Sequence, residues 1–311
     1  MTMRLLITGG AGCLGSNLIE FYFPQGHEIC VIDNFATGKR EVVPEQIGLQ
    51  VVEGSIADEE LVSRTFAEFE PTHVIHSAAA YKDPDNWVED VATNVQGTLN
   101  VAKVALAHGV QRFINFQTAL CYGRPKTVPI PIDHPIAPFT SYGISKTAGE
   151  SYLLQSGLPI VSLRLANVCG PRLAIGPIPT FYKRLKAGQN CFCSDSVRDF
   201  IDISDFFILV DLVLRSDAPT GVFNVSTGVG SSILDVFREV AAYLDIPVPE
   251  VPLVPVGADD VAQVVLDPST TEKTFGWKAQ IGFEETIHNQ LRWYDQHGVN
   301  DIFSHLAKPV A

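Results

Sequence analysis

The most constraining feature of this chain is a glycine-rich run near its amino terminus, where an apolar strand passes into a helix. Within residues 5–16, Gly9, Gly12 and Gly15 have the spacing G-x-x-G-x-x-G. In such a run the first glycine permits a tight turn, the second lets the backbone approach a phosphate, and the third lets the helix pack on the strand. The N–H groups and dipole at the start of the helix attract negative charge. The run therefore predicts a cradle for the pyrophosphate of a dinucleotide.

A second apolar strand, over residues 28–32, ends at Asp33. A carboxylate at this place accepts hydrogen bonds from both ribose hydroxyls of an adenosine and repels a 2′-phosphate. Together, strand, helix and acid predict NAD as the cofactor. The alternative is a glycine-rich turn that binds no ligand.

The charge of the chain limits its partners. Over its 311 residues, 22 basic side chains stand against 35 acidic ones, a formal net charge of −13. This balance predicts no binding to nucleic acid or to an anionic membrane surface. No apolar run reaches the ~18 residues of a membrane span, and the amino terminus enters a strand without the pattern of a secretory signal. We therefore expect a cytoplasmic protein.

The side chains that bind metals show no convincing ligand spacing. The six cysteines lie apart except for Cys191 and Cys193, whose spacing places both on one face of an extended segment with no histidine nearby. His73 and His76 are three residues apart in a predicted strand, so they point to opposite faces. We predict that most of the cysteines are small buried side chains, that both histidines are structural, and that there is no metal site.

Strand-length apolar runs alternate with helix-length segments through the first half of the chain. Such repetition predicts an α/β fold with a doubly wound, Rossmann-type parallel sheet, with ligands at the carboxyl ends of its strands. Prolines interrupt the second half, which predicts a smaller C-terminal α/β lobe. We expect a dinucleotide-binding domain over residues 1–165, to which later segments return, and a lobe mainly for substrate over residues 166–311. The predicted strands cover residues 4–8, 28–32, 50–53, 73–77, 113–117 and 160–165, and the predicted later helices residues 179–187, 204–214, 233–244 and 283–296.

A Y-x-x-x-K pair supplies candidate chemistry. If the segment from Ser141 is helical, Tyr142 and Lys146 lie one turn apart on the same face. A phenol with a pKa near 10 is a poor base at neutral pH, but an ammonium and a positively charged nicotinamide both favour the phenolate. The pair therefore predicts a general base next to a nicotinamide, whereas an isolated match would be an ordinary surface pair.

Ordered motifs along nearly the whole chain resemble the extended short-chain dehydrogenase/reductase family. The likeness is to its NAD-dependent nucleotide-sugar epimerase/dehydratase branch, in particular to epimerase-like proteins of bacterial O-antigen gene clusters. The motifs that carry it lie at residues 9–15, 33–35, 76–79, 94–98, 116–123, 142–146, 163–171 and 198–200.

The resemblance implies a role for each matching residue. Tyr142 would be the general base, Lys146 would tune it and hold the nicotinamide ribose, and Thr118 would hydrogen-bond the sugar oxygen that is oxidised. Asn167 and Arg198 would contact the nucleotide diphosphate. In addition to Tyr142 and Lys146, the NAD site would comprise Gly9, Gly12, Cys13, Leu14, Gly15, Asp33, Asn34, Ser55, Ile56, Ala78, Ala79 and Asn94.

The two residues after Thr118 narrow the reaction. Dehydratases of this branch place an Asp-Glu pair there and its decarboxylases a Glu at the second position, but this chain has Ala119 and Leu120, which cannot transfer a proton. The remaining set predicts a 4-epimerase of a UDP-linked hexose, N-acetylhexosamine or uronic acid that acts through a transient 4-keto sugar, in O-antigen or polysaccharide precursor synthesis. The alternatives are a 4-ketosugar reductase, another nucleotide-sugar oxidoreductase and a non-catalytic NAD sensor.

Several positions depart from the family's pattern. Ser55 replaces an Asp near the adenine, Cys169 replaces an aromatic residue, and residues 256–260 contain no arginine where one often holds the diphosphate. Phosphate binding would then depend more on Arg198, which could instead form a surface ion pair with Asp195 or Asp199.

Quaternary structure follows from the same likeness. The segments around residues 88–108 and 141–155 resemble the helices that form a dimer interface in the family, so we expect a homodimer. An apolar stripe at helical spacing, which could equally face the chain's own sheet, comprises Val91, Val95, Leu99, Ala102 and Leu106.

Overall fold

The fold was analysed in a computed structural model, which describes residues 2–248 and 250–302. Its contacts divide these residues into two compact units. Unit 1 comprises residues 1–121, 138–164 and 209–223, and unit 2 comprises residues 122–137, 165–208 and 224–311, each within the described ranges. The strands are β1 (Arg4–Thr8), β2 (Glu28–Asp33), β3 (Leu49–Glu53), β4 (His73–His76), β5 (Arg112–Thr118), β6 (Ile160–Leu165), β7 (Asn167–Cys169), β8 (Cys193–Ser194), β9 (Val197–Arg198), β10 (Phe200–Asp202), β11 (Gly221–Val225), β12 (Ser231–Ser232), β13 (Leu253–Val254) and β14 (Gln263–Val264).

Helices separate most of these strands. A π-helical turn, Ala92–Gly97, joins α3 to α4, and short 3₁₀ segments lie at Phe23–Gln25, Arg40–Val42 and Ala119–Tyr122. The helices are α1 (Cys13–Tyr22), α2 (Glu59–Phe69), α3 (Trp87–Val91), α4 (Thr98–Ala107), α5 (Ser141–Gln155), α6 (Pro177–Lys186), α7 (Ile203–Leu214), α8 (Ile233–Tyr243), α9 (Ser269–Phe275) and α10 (Phe283–His297).

The principal sheet has seven strands in the order β11-β6-β5-β4-β1-β2-β3. The pairings of β1 with β2 and β4, of β2 with β3, and of β4 with β5 are all parallel. The strand order reverses between β1 and β4, which is the place where doubly wound sheets bind ligands beyond the carboxyl ends of their strands. The predicted Rossmann-type fold is therefore confirmed, and the predicted strands match β1–β6 to within one residue at either end.

The core of unit 1 explains why its strands are continuously apolar. Leu5, Leu6 and Ile7 of β1 are completely buried, because helices cover both faces of a parallel sheet. His76 of β4 is also buried, and its ring hydrogen-bonds the hydroxyls of Thr8 (2.9 Å) and Thr98 (2.9 Å). This histidine is structural, as predicted.

Unit 2 has another construction. It contains small sheets, of which β7 with β10, β8 with β13 and β9 with β12 and β14 are the described pairings. Its core lies mainly between α6, α8 and α10. Trp277 is buried in this unit and donates its indole N–H to the carbonyl of Asp205 at 2.9 Å. In the described part of the chain, no helix combines the length and the apolar character needed to cross a membrane.

Candidate active site

The glycine-rich run forms a close junction between β1 and α1. Gly9 has a φ of +70°, and a Cβ added there would lie 2.7 Å from the backbone of Ala78, which follows β4. A Cβ on Gly15 would collide with the carbonyl oxygen of Gly9. Helix α1 begins after Gly12 without a side-chain cap, so its first N–H groups are available to an anion as at other helix starts. The local backbone therefore fits the pyrophosphate cradle that the sequence predicts.

Asp33 closes this junction at the end of β2. Its carboxylate accepts the N–H of Ala11 at 2.8 Å and the N–H of Phe35 at 2.8 Å. Burial raises the pKa of this carboxyl, and the two backbone hydrogen bonds oppose the shift. Asn34, the next residue, is exposed. Asp33 thus links the glycine-rich run to the loop after β2.

The remaining residues predicted to bind NAD lie around the loops after β3 and β4. Ser55 accepts the N–H of Ala57 at 3.1 Å, and Ile56 is buried. Asn94 fastens the β4 loop: its amide exchanges two 2.9 Å hydrogen bonds with the backbone of Ala80 and donates a third, of 3.0 Å, to Ser145 of α5. Both amide hydrogens of Asn94 are thus used within the protein, and the residue holds the loop in position.

The three predicted catalytic residues lie at the ends of two elements of unit 1. Thr118 is the last residue of β5, Tyr142 is the second residue of α5, and Lys146 lies one helical turn later. The Thr118 hydroxyl accepts the N–H of Leu120 at 3.2 Å, and hydrogen bonding by the same side chain lowers the pKa of the Tyr142 phenol. The fold therefore brings Thr118 and Tyr142, 24 positions apart in the chain, near one another.

The protein by itself disfavours the Tyr142 phenolate. Burial raises the pKa of Tyr142, and negative charge on Tyr81 or Asp90 raises it further, whereas the hydrogen bond from Thr118 lowers it. That Lys146 also lowers this pKa stays a prediction. Tyr81, which sequence reasoning missed, has its ring 5.8 Å from that of Tyr142, and burial raises its own pKa to about 12.

Lys146 is buried, and the negative charge of Glu150 on the same helix stabilises its ammonium. Burial lowers the pKa of its ammonium to about 8, and the negative charge of Glu150 opposes this shift. Glu150 itself is paired with Arg164 at 2.8 Å and accepts a 2.6 Å hydrogen bond from Ser162. The charge of Lys146 therefore depends on Glu150, which lies one turn further along α5 and is paired with Arg164 of β6.

The residues predicted to bind the diphosphate lie in unit 2. Asn167 is exposed at the start of β7 and bonds the carbonyl of Asp199 at 2.9 Å. Arg198 pairs with Asp260 at 2.6 Å, and its side chain is only 14% exposed. The alternative prediction, an ion pair of Arg198 with Asp195 or Asp199, is therefore wrong.

The pairing of the strands explains why Arg198 contacts Asp260. Strand β14 pairs in parallel with β9, which brings the segment before β14 next to Arg198. Asp199 points to the other side of the strand, where its carboxylate accepts the backbone N–H of Thr227 at 3.0 Å and that of Gly228 at 2.8 Å. The segment 256–260, which lacks an arginine, thus supplies a carboxylate to Arg198 instead.

One cluster of potential metal ligands lies among the described residues. Glu239, Glu284 and His288 bring their ligand atoms within 4.8 Å of one another in unit 2. His288 Nε2 is 2.7 Å from Glu239 Oε1, and Arg292 lines the same surface depression. The arginine's positive charge opposes a cation there, so we interpret the cluster as a contact between α8 and α10.

Comparison with known proteins decides the family. The profile of the NAD dependent epimerase/dehydratase family matches residues 5–226. The chain belongs to this family. The predicted family and its NAD dependence are thereby confirmed, and the glycine junction and Asp33 fit the cofactor.

Several relatives of this NAD dependent epimerase/dehydratase cover nearly its whole length. The Bordetella bronchiseptica enzyme WbmG, crystallised with NAD and UDP, is 69% identical, with a TM-score of 0.94 over 99% of this chain and 98% of that one. The enzyme WbmH of the same organism, crystallised with NAD⁺, is 39% identical, with a TM-score of 0.91 over 96% and 100%. A UDP-glucose 4-epimerase of Corynebacterium glutamicum is 32% identical over 99% of this chain and 100% of its own length.

Proposed function

We propose that this protein interconverts the C4 epimers of a UDP-linked sugar, a hexose, an N-acetylhexosamine or a uronic acid. The observation that carries the proposal is the placement of Thr118 at the end of β5 near Tyr142 of α5, with Lys146 one turn away. A hydroxyl and a phenol placed near one another are suited to bind a hydroxyl group of the sugar and take its proton. When bound in the cradle of Gly9, Gly12 and Gly15 with Asp33, NAD would supply the acceptor and donor for the hydride of the C4 carbon.

In this reaction each of the three residues has a separate role. Tyr142 takes the proton of the C4 hydroxyl through its phenol oxygen and returns it when the inverted alcohol forms. Thr118 hydrogen-bonds the same sugar oxygen and favours the phenolate. Lys146 supplies a positive charge that favours the phenolate further and a donor for the nicotinamide ribose. The raised pKa of Tyr142 in the protein alone makes the positive charge of the oxidised nicotinamide part of the activation.

The neighbours of Thr118 support epimerisation over elimination. Ala119 is buried, and Leu120 uses its backbone to bond the Thr118 hydroxyl. Neither side chain can donate or accept a proton, so the set is sufficient for reversible oxidation of an alcohol and lacks an acid/base pair for dehydration.

The choice of a uridine nucleotide rests on the relatives. The enzyme WbmG was crystallised with UDP, and relatives are named UDP-glucose 4-epimerase. We propose Arg198 and Asn167 as residues that contact the diphosphate. A role in O-antigen precursor synthesis stays a prediction from the resemblance.

A panel of UDP-sugars followed by NMR tests the proposal. UDP-glucose, UDP-galactose, UDP-N-acetylglucosamine and UDP-glucuronic acid are each incubated with the purified protein without added NADH. We expect at least one to be converted to its C4 epimer while NAD stays bound through gel filtration. No inversion of any of these sugars would contradict the proposal. Stoichiometric oxidation of NADH in a separate incubation with a UDP-linked 4-keto sugar, without inversion of the four sugars, would establish the ketosugar reductase instead.

We also propose that the protein forms a homodimer through α3, the π-helical turn, α4 and α5. Val91 and Leu106 of the predicted stripe are 55% and 51% exposed, whereas Ala102 is buried, so only part of the stripe faces the chain's own core. Large apolar side chains exposed on these elements comprise Trp87, Val88, Val91, Leu106, Ile144, Tyr152 and Leu154. Analytical ultracentrifugation tests this: we expect a dimer that Val88→Glu dissociates, and a monomeric parent protein would contradict it.

A further inference from the structure

Gln117 is a buried amide at the end of the strand that carries Thr118. Strand β5 pairs with β4 only from Arg112 to Asn115, so its last three residues extend beyond β4. Gln117 lies in this extension and its side chain is 2% exposed. A buried carboxamide is costly unless its donors and acceptors are bonded, so its partners indicate what it holds.

The Gln117 amide joins the two elements of the proposed active site. Its Oε1 accepts the backbone N–H of Thr118 at 2.7 Å, and its Nε2 donates to the backbone carbonyl of Lys146 at 3.0 Å. One side chain thus ties the backbone of the residue that bonds the sugar oxygen to the backbone of the residue that bears the ammonium. Since Tyr142 lies one turn before Lys146, this bridge also fixes the distance between the Thr118 hydroxyl and the phenol.

We propose that Gln117 is a positioning residue for the epimerisation, and this rests on the proposed function above. Gln117 acts through Thr118 and Lys146 and touches no substrate. Without the bridge, the end of β5 and helix α5 keep their places in the core but lose the side chain that sets their spacing. Misplacement of a reacting group by ~1 Å lowers the rate by about 100-fold in other enzymes, so the loss should fall on kcat.

Gln117→Met is the first test, because Met has nearly the same length and lacks both hydrogen-bonding groups. We expect kcat to fall by about 10- to 100-fold with a KM for the UDP-sugar within about threefold of the parent value, since the substrate-binding residues are unchanged. A kcat within about twofold of the parent enzyme would overturn the proposal.

The pH dependence of kcat in Gln117→Glu distinguishes a positioning role from a purely structural one. A protonated carboxyl reproduces both bonds, because its carbonyl oxygen accepts the Thr118 N–H and its O–H donates to the Lys146 carbonyl. The ionised carboxylate cannot donate. We therefore expect the ratio of kcat in Gln117→Glu to kcat in the parent to fall by at least about tenfold between pH 5.5 and 8.5. A ratio that does not change with pH, like that expected for Gln117→Met, would contradict the bridge.

Thr72→Val is the matched control. The Thr72 hydroxyl accepts the backbone N–H of Arg4 at 3.1 Å at the opposite, amino-terminal edge of the same sheet. Loss of this link should lower the free energy of unfolding by about 1 kcal/mol and leave kcat unchanged. A parent enzyme that inverts no UDP-sugar would refute both proposals, whereas an active parent with an unaffected Gln117→Met would refute this one alone.

Discussion

The two units hold their predicted site residues in place in different ways. In unit 1 a seven-stranded sheet with mostly buried strands holds Thr118 at a strand end, and Tyr142 lies at a helix start. In unit 2 the strands next to Arg198 have two residues each, and buried side-chain bonds of Asp199 and Asp260 hold them. In unit 1 backbone pairing places the residues, whereas in unit 2 side-chain bonds of two carboxylates add to short backbone pairings.

Tyr142→Phe removes the proposed base in unit 1 and should have the largest effect. The variant keeps the ring and its packing but cannot take a proton, so we expect kcat to fall by about 1,000-fold or more with an unchanged melting temperature. Tyr152→Phe, an exposed tyrosine on the same helix, is the control and should retain full activity. Turnover by Tyr142→Phe at the level of this control would show that the chemistry lies elsewhere.

Asp199→Asn tests whether side-chain bonds hold unit 2. The carboxylate is completely buried and accepts bonds from Thr227 and Gly228, and an amide would turn an N–H toward these donors. Urea unfolding should show a loss of about 3 kcal/mol. Exposed Asp195→Asn should change the stability by less than about 0.5 kcal/mol. Equal stability of the two variants would remove the contrast between the units.

The burial of Lys146 in unit 1 predicts that the free energy of unfolding depends on pH. Its folded pKa of about 8 lies below the value of 10.5 for a free lysine, so between these values the unfolded chain binds a proton that the folded chain does not. Stability must therefore rise with pH through this window. Relative to Lys146→Met, the free energy of unfolding of the NAD-free protein should increase by about 2–3 kcal/mol from pH 7.5 to 10.5. A constant difference would mean that the ammonium is not desolvated.

Arg198→Met should have the smallest effect and act on binding alone. If unit 2 supplies contacts to the diphosphate and unit 1 the chemistry, KM should rise by about tenfold with kcat nearly unchanged. Calorimetric titration with UDP should show the same loss of affinity. A fall in kcat at constant KM would contradict this division of roles.

The difference between the long strands of unit 1 and the short strands of unit 2 also explains which site residues could be predicted from the sequence. Gly9, Asp33 and the Tyr142–Lys146 pair were found because each follows from a strand–helix period or a fixed spacing along the chain. The pairing of Arg198 with Asp260 depends on two-residue strands that leave no periodic pattern. The bridge made by Gln117 was also hidden, because a single polar residue in an apolar strand does not reveal its partner 29 positions away.

The fate of the hydrogen on C4 tests the central claim most directly. A UDP-sugar that turns over in the NMR panel is prepared with deuterium at C4 and incubated with the enzyme in ordinary water. If Thr118, Tyr142 and Lys146 support oxidation and reduction at C4 with retained NAD, the epimer must carry the deuterium at C4. Loss of the deuterium to solvent, or an epimer inverted at another carbon, would contradict the account.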